Sequence, residues 1–354
     1  MYNNIYQNKK VFITGHTGFK GSWLSIWLKH LGANVCGYSL APNTTPSMFK
    51  ELNIADRIEK SVIGNILDDE LLNVTISEFN PDIIFHLAAQ PLVLFSYEEP
   101  VLTYKTNVIG TLNVLEAARK VQSVKVFVNV TTDKCYENNE TTHAYTENDP
   151  MGGYDMYSSS KGCVEILSSS YRRSFLQSEN SFALATARAG NVIGGGDWAK
   201  DRLIPDCIRA VADNKDIQIR NPKSTRPWQF VLEPLHGYLT LGQRLLESGK
   251  EYAQSYNFGP DYNDTRTVEQ IANNVVSIMG KGKVITGENL SCHEASLLTL
   301  NSDKANKYLN WCPTYNVEKA VEETLNWYRH FYNNDTDMYN FSISQIKNFE
   351  DSIK

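Results

Sequence analysis

Through the first 190 residues, short apolar and β-branched runs alternate with longer amphipathic stretches. The runs Lys10–Thr14, Asn34–Tyr38, Ser61–Gly64, Ile83–Leu87, Lys125–Val130 and Phe182–Arg188 predict strands. Most are nearly all apolar, as strands covered on both faces of a parallel sheet must be. Between them, apolar residues at helical spacing predict helices over Phe19–Leu31, Asp68–Phe79, Pro100–Lys120 and Tyr154–Phe175. Six such strands joined by helical crossovers predict an α/β chain with a doubly wound parallel sheet. After Arg188 the texture changes to AGNVIGGGDW and then to irregular sequence punctuated by prolines. This predicts a smaller C-terminal lobe over residues 191–335, interleaved with the first, to which residues at about 232–255 return. Residues 336–354 read as a peripheral tail.

The first strand runs into Gly15-His-Thr-Gly18-Phe-Lys-Gly21 and then into a helical stretch. A turn this tight needs glycine's free dihedrals, and a pyrophosphate can approach only a backbone with no Cβ in the way. The helix that follows presents free N–H groups to phosphate, so this is the signature of a Rossmann-type dinucleotide site. The second strand, ending Cys36-Gly37-Tyr38-Ser39-Leu40, offers no acid for the ribose, and no Arg follows before Lys50 to hold a 2′-phosphate. By absence, the pattern leans to NAD.

Composition narrows the partners. The chain has 354 residues, 42% hydrophobic and 21% charged, which is the make-up of a folded globular protein. A net charge of −6 leaves no global attraction for nucleic acid or anionic lipid, so neither partner is expected and any anionic ligand must be held by local groups. Six scattered cysteines, without CxxC or Cys/His ligand spacing, argue against a disulfide framework or a metal site and fit a reducing cytoplasm. The polar start MYNNIYQNKK lacks a signal core and no apolar run nears a membrane span, so neither export nor a transmembrane segment is expected.

The fifth strand ends in Thr131-Thr132-Asp133-Lys134, and Tyr157-Ser-Ser-Ser-Lys161 follows. Tyr and Lys at i and i+4 share a helix face, which brings an ammonium beside a phenol. Bringing a tyrosine from about 10 to near 7 takes roughly 4 kcal/mol, more than one exposed charge provides. The positive charge of an oxidised nicotinamide would supply the rest. Such a phenol, with Thr132 bonded to the same hydroxyl, can take a proton from a sugar alcohol as hydride leaves for the cofactor.

With GHTGFKGSWL, LAAQPLV, TDKCY, MGGYDMYSSSK, GNVIGGGDWAKDRLIPD and IRNPKSTRPWQFVLEPLHGYL in place, the chain resembles the extended short-chain dehydrogenase/reductases. Within them it is most similar to the CDP-glucose branch of the nucleotide-sugar 4,6-dehydratases. The resemblance implies transient C4 oxidation of CDP-glucose by NAD with Tyr157, Thr132 and Lys161, loss of water across C5 and C6 with Asp133 as acid, and hydride return to C6. It also implies a place in deoxysugar synthesis for surface polysaccharide. Lys134, where related dehydratases have Glu, is then either the C5 base, which needs its pKa lowered by ~3 units, or a cation that stabilises the enolate. Cofactor contacts are implied at Gly15, Thr17, Gly18, Phe19, Lys20, Gly21, Asn65, Ile66, Leu87, Ala88, Ala89 and Asn107, besides Tyr157 and Lys161.

Substrate contacts are implied at Asn191, Arg202, Arg226 and His293. Two departures stand out: Leu94-Phe95 where relatives commonly carry Arg, and Asn65 where many carry Asp facing adenine. The stripes Val108, Leu112, Leu115 and Val164, Leu167, Tyr171 lie on helices that pair across a two-fold axis in relatives, so a homodimer or higher homo-oligomer is expected, although both stripes could also face the sheet. A nucleotide-sugar 4-epimerase would use Tyr157, Lys161 and Thr132 without the Asp133 acid. A dehydratase acting on another nucleotide hexose would keep all four. A non-catalytic NAD-binding module would have no use for Tyr157, Lys161 and Asp133 together.

Overall fold

In the computed structural model, which describes residues 2–261, 264–287, 297–334 and 337–353, seven parallel strands form the central sheet. They are β1 (Lys10–Thr14), β2 (Asn34–Ser39), β3 (Lys60–Ile63), β4 (Ile83–His86), β5 (Val126–Val130), β6 (Ala183–Arg188) and β7 (Ser255–Asn257), in the order β7-β6-β5-β4-β1-β2-β3. Side chains alternate between two cores. Val11, Ile13, Val126 and Val128 face one side with Trp23, Trp27 and Leu235, while Phe12 and Phe127 face the other with Leu115 and Tyr171. The predicted strands and helices are all present to within two residues. The exception inside an element is the stretch Pro100–Arg119, which carries a wide π-type turn at Lys105–Ile109.

The strand order reverses between β1 and β4. Crossovers leave those two strands in opposite directions, so their carboxyl ends open a crevice, which is where ligands bind in sheets of this kind. β7 escapes notice in the sequence because Ser-Tyr-Asn is three residues long and pairs only along β6. The helix Leu232–Ser248 packs on the sheet through Leu235, Leu239 and Leu241.

The rest of the chain after Arg188 sets the helices Leu203–Ala212, Val268–Met279, Asp303–Leu309 and Val317–Asn333 among short two-stranded pairs. Val192–Ile193 runs with Gln229–Phe230, Ile217–Ile219 with Val284–Thr286, and Thr225–Arg226 with Arg266–Thr267. The tail corrects the expectation. Residues 338–352 form a helix whose Ile346 and Phe349 are fully buried, and Glu350 accepts a hydrogen bond from Trp27 Nε1 at 2.7 Å. Its apolar spacing was hidden by the run of Asn and Asp before it. Of the helix stripes, Leu115, Val164 and Tyr171 are buried within the chain while Val108, Leu112 and Leu167 are half-buried, and the large apolar residues left exposed on those helices are Val101, Leu102, Ile109, Met156, Ile166 and Phe175. No helix among the described residues is long and apolar enough to cross a membrane.

Candidate active site

The turn after β1 is shaped by its glycines. Gly15 has φ +80°, and a Cβ there would lie 2.8 Å from Ala88 N. A Cβ on Gly21 would overlap the Gly15 carbonyl oxygen. The helix Phe19–His30 starts at Gly18 with no side-chain cap, so its first N–H groups are left for a ligand. That cradle fits a dinucleotide's pyrophosphate. Thr17 donates to Leu40 O at 2.8 Å and lies 2.9 Å from Ser39 Oγ, which ties the turn to the end of β2.

Other expected cofactor residues do structural work. Leu87 and Ala88 both give their N–H to Thr14 Oγ1, so what they can offer a ligand is carbonyl or apolar surface. Asn65 Oδ1 accepts from Leu67 N, shaping the turn where Ile66 O is held by Asn113. Asn107, in the wide turn, exchanges hydrogen bonds with the backbone of Gln90 and donates to Ser160 Oγ, which clamps the stretch beyond Ala89 to the helix Met156–Phe175.

At the carboxyl end of β5, Thr132 donates to Asp133 Oδ1 at 2.9 Å and accepts from Lys134 N. Asp133 is 2% exposed, and its Oδ2 has no hydrogen-bond partner. Opposite lies the helix Met156–Phe175, whose N-terminus is capped by Asp155 accepting from Ser158 N. One turn in, Lys161 Nζ donates to Val130 O, so the ammonium sits at the strand end. Burial sets the electrostatics. It pushes Tyr157 up to about 12 against the downward pull of Thr132, and brings Lys161 and Lys20 down to about 8 each. The phenol of this chain by itself is thus harder to ionise than a free one.

A cavity of about 940 Å³ opens over these groups. Phe19, Lys20, Thr132, Asp133, Lys134 and Tyr157 line it from the sheet side. Asn191, Arg202 and Arg226 line it from the other, and His293 lies outside the described residues. The chain matches the GDP-mannose 4,6 dehydratase family over residues 12–324. It belongs to that family. Among relatives, it is 50% identical over 332 residues to a CDP-glucose 4,6-dehydratase of Salmonella typhimurium, covering 92% of both chains. Its fold matches an epimerase from Methanothermobacter thermautotrophicus with TM-score 0.79 at 24% identity, covering 94% of this chain and 95% of that one. It also matches a dTDP-glucose 4,6-dehydratase from Bacillus anthracis solved with NAD, with TM-score 0.74 at 22% identity and 91% and 96% coverage.

For this family member, sequence reasoning missed a buried polar network beneath the site. Glu165, one helical turn beyond Lys161, pairs with Arg188 at 2.8 Å, both nearly inaccessible. Glu165 also accepts from Thr131 and Thr186, and Arg188 donates to Tyr136 OH. Burial alone would raise the Glu165 carboxyl, but Arg188 and the hydroxyls hold it below its usual value. The signal was there in YxxxKxxxE and in an apolar strand ending in Arg. On the far wall, Arg202 pairs with Asp197 at 2.8 Å and Arg220, which was not singled out, lies 3.4 Å from Asp201.

Proposed function

We propose that this protein is an NAD-dependent CDP-glucose 4,6-dehydratase, converting CDP-D-glucose to CDP-4-dehydro-6-deoxy-D-glucose and water. The observation that carries this reading is Asp133: a buried carboxyl with one oxygen held by Thr132 and the other unpartnered, on the wall it shares with Tyr157. C4 oxidation needs only the phenol, whereas expelling a hydroxyl needs an acid. The similarity to a CDP-glucose 4,6-dehydratase over 92% of the chain supports the choice of substrate.

The glycine turn fits NAD, which when bound supplies the hydride acceptor and later donor together with the positive charge of its oxidised ring. Tyr157 removes the proton of the C4 hydroxyl, with Thr132 and Lys161 fixing the phenol's surroundings. The resulting ketone acidifies the C5 proton. Asp133, protonated, gives its proton to the C6 hydroxyl, which leaves as water. Lys134, half-buried on the same wall, either takes the C5 proton or stabilises the enolate. Arg226, Arg202 and Asn191 hold the sugar diphosphate.

The division of labour follows: residues 1–190 with the segment near 232–255 hold the cofactor, and most of 191–335 holds the sugar nucleotide. The exposed apolar face around Val101, Ile109, Ile166 and Phe175 supports a homodimer, which sedimentation tests directly, a monomer excluding it. A cytoplasmic setting and a role in making deoxysugars for surface polysaccharide complete the reading; free Cys36, Cys135, Cys163, Cys207 and Cys312 are consistent with a reducing compartment. The deciding experiment incubates the protein with CDP-glucose and NAD and weighs the product. Loss of one water is expected. Unchanged mass with inverted C4 would replace the reading with a 4-epimerase.

A further inference from the structure

Gly190 follows β6 and faces the Asp133 carboxyl. A Cβ built on it would lie well inside van der Waals contact of Asp133 Oδ2 and Cγ, and 2.5 Å from Oδ1. Its backbone has no freedom to retreat. Gly190 O accepts from Gln229 Nε2 at 2.9 Å, the same amide donates to Phe258 O, and Gln229 N donates to Asn191 O. On the other side, Asp133 N donates to Ala189 O at 3.4 Å. Two fixed strand ends therefore meet with the carboxyl between them, and the space it occupies is the space of a missing side chain.

We propose that Gly190 is a positioning residue for the elimination step: by carrying no Cβ it lets Asp133 hold its unpartnered oxygen inside the cavity. The inference rests on the dehydratase reading. It goes further in naming a residue that separates the two halves of the reaction. The phenol lies on the helix Met156–Phe175 and the acid lies against Gly190, so a methyl group at 190 rotates the carboxyl off Thr132 and leaves Tyr157 in place. C4 oxidation and loss of water then come apart. A chain with any side chain at 190 would lack room for the acid in this pose and would keep only the chemistry of the phenol.

The test is Gly190→Ala, with wild type, Asp133→Ala and the double variant alongside. With CDP-glucose and NAD, dehydrated product from Gly190→Ala is expected to fall on the order of 100-fold, the weight of a misplaced general acid. The rate at which reduced nicotinamide absorbance rises on mixing should stay near wild type, while its decay slows with the loss of dehydration. Gly190→Ala in the Asp133→Ala background should cost nothing further, because its target is already gone. Equal losses in the rate of that rise and in dehydration, or an additive loss in the double variant, would overturn the proposal. If Gly190→Ala alone does not fold, the double variant should fold and match Asp133→Ala, and its failure to do so also overturns it. Wild-type turnover tests the function itself, whereas the Asp133 rotamer in a crystal of Gly190→Ala tests the positioning whatever the substrate proves to be.

Discussion

The two walls of the cavity are made by different means. On the sheet side, the pose of each group is dictated by backbone: Gly15 and Gly21 leave no space for a Cβ, Thr14 consumes the N–H groups of Leu87 and Ala88, and Lys161 is held at the end of β5. On the far side, Arg202, Arg220 and Arg226 extend from a helix start and short strands of the smaller lobe, and the first two lean on Asp197 and Asp201. A cofactor common to many reactions can be held by geometry that tolerates little change. A particular sugar nucleotide is held by side chains that can be exchanged without rebuilding the sheet.

The largest effect should come from the sheet wall. Tyr157→Phe removes only an oxygen, from a group 8% exposed, so the fold should persist while turnover falls about 10³-fold. Steady-state kinetics with a melting curve checks this, and a loss under about tenfold would mean the chemistry does not run through this wall. The far wall should answer differently. Arg226→Ala removes charge-assisted hydrogen bonds to phosphate, about 1.5–3 kcal/mol, so KM for the sugar nucleotide should rise roughly 10- to 100-fold with kcat little altered. If kcat falls instead and KM holds, the division between walls is wrong.

The same contrast explains what could be read from the chain. The strands, the glycine turn and the Tyr157–Lys161 face were legible because backbone demands and periodicity leave few residue choices. Most of the expected catalytic and substrate residues do converge on one cavity. What was not legible depends on partners far apart in sequence. Glu165 has no partner in view along its own helix, and Arg188 reads as a strand end, until β6 lies beside that helix. The buried pair Ile346 and Phe349 reads as a tail until Trp27 is set against it. Asn107 was expected at the cofactor, but its amide is spent on Gln90 and Ser160, a use that only the wide turn at Lys105–Ile109 reveals.

The effect with the least bearing on turnover is a loss of stability in acid, and it should also fall on one side of the molecule. His16 lies 2.8 Å from Ser61 Oγ, His86 sits between Thr14 and Thr111, and His236 meets Tyr2 OH at 2.8 Å, all on or against the central sheet. Burial brings His16 and His236 down to about 4 and His86 to about 3. Depressed histidines bind protons first in the unfolded chain, so the stability they preserve is full above about 6.5 and is lost as pH falls towards 4. At pH 5 each should cost about 2 kcal/mol relative to pH 7. Melting temperature should therefore drop across that window, and His236→Gln should flatten the slope by about one histidine's share. Hydrogen exchange at pH 5 should open β1, β2 and β4 before Ile217–Ile219 and its partner strand, because no described histidine lies in those two strands. Equal opening on both sides would mean that the sheet and the smaller lobe melt as one unit, and that the contrast between the walls is one of function alone.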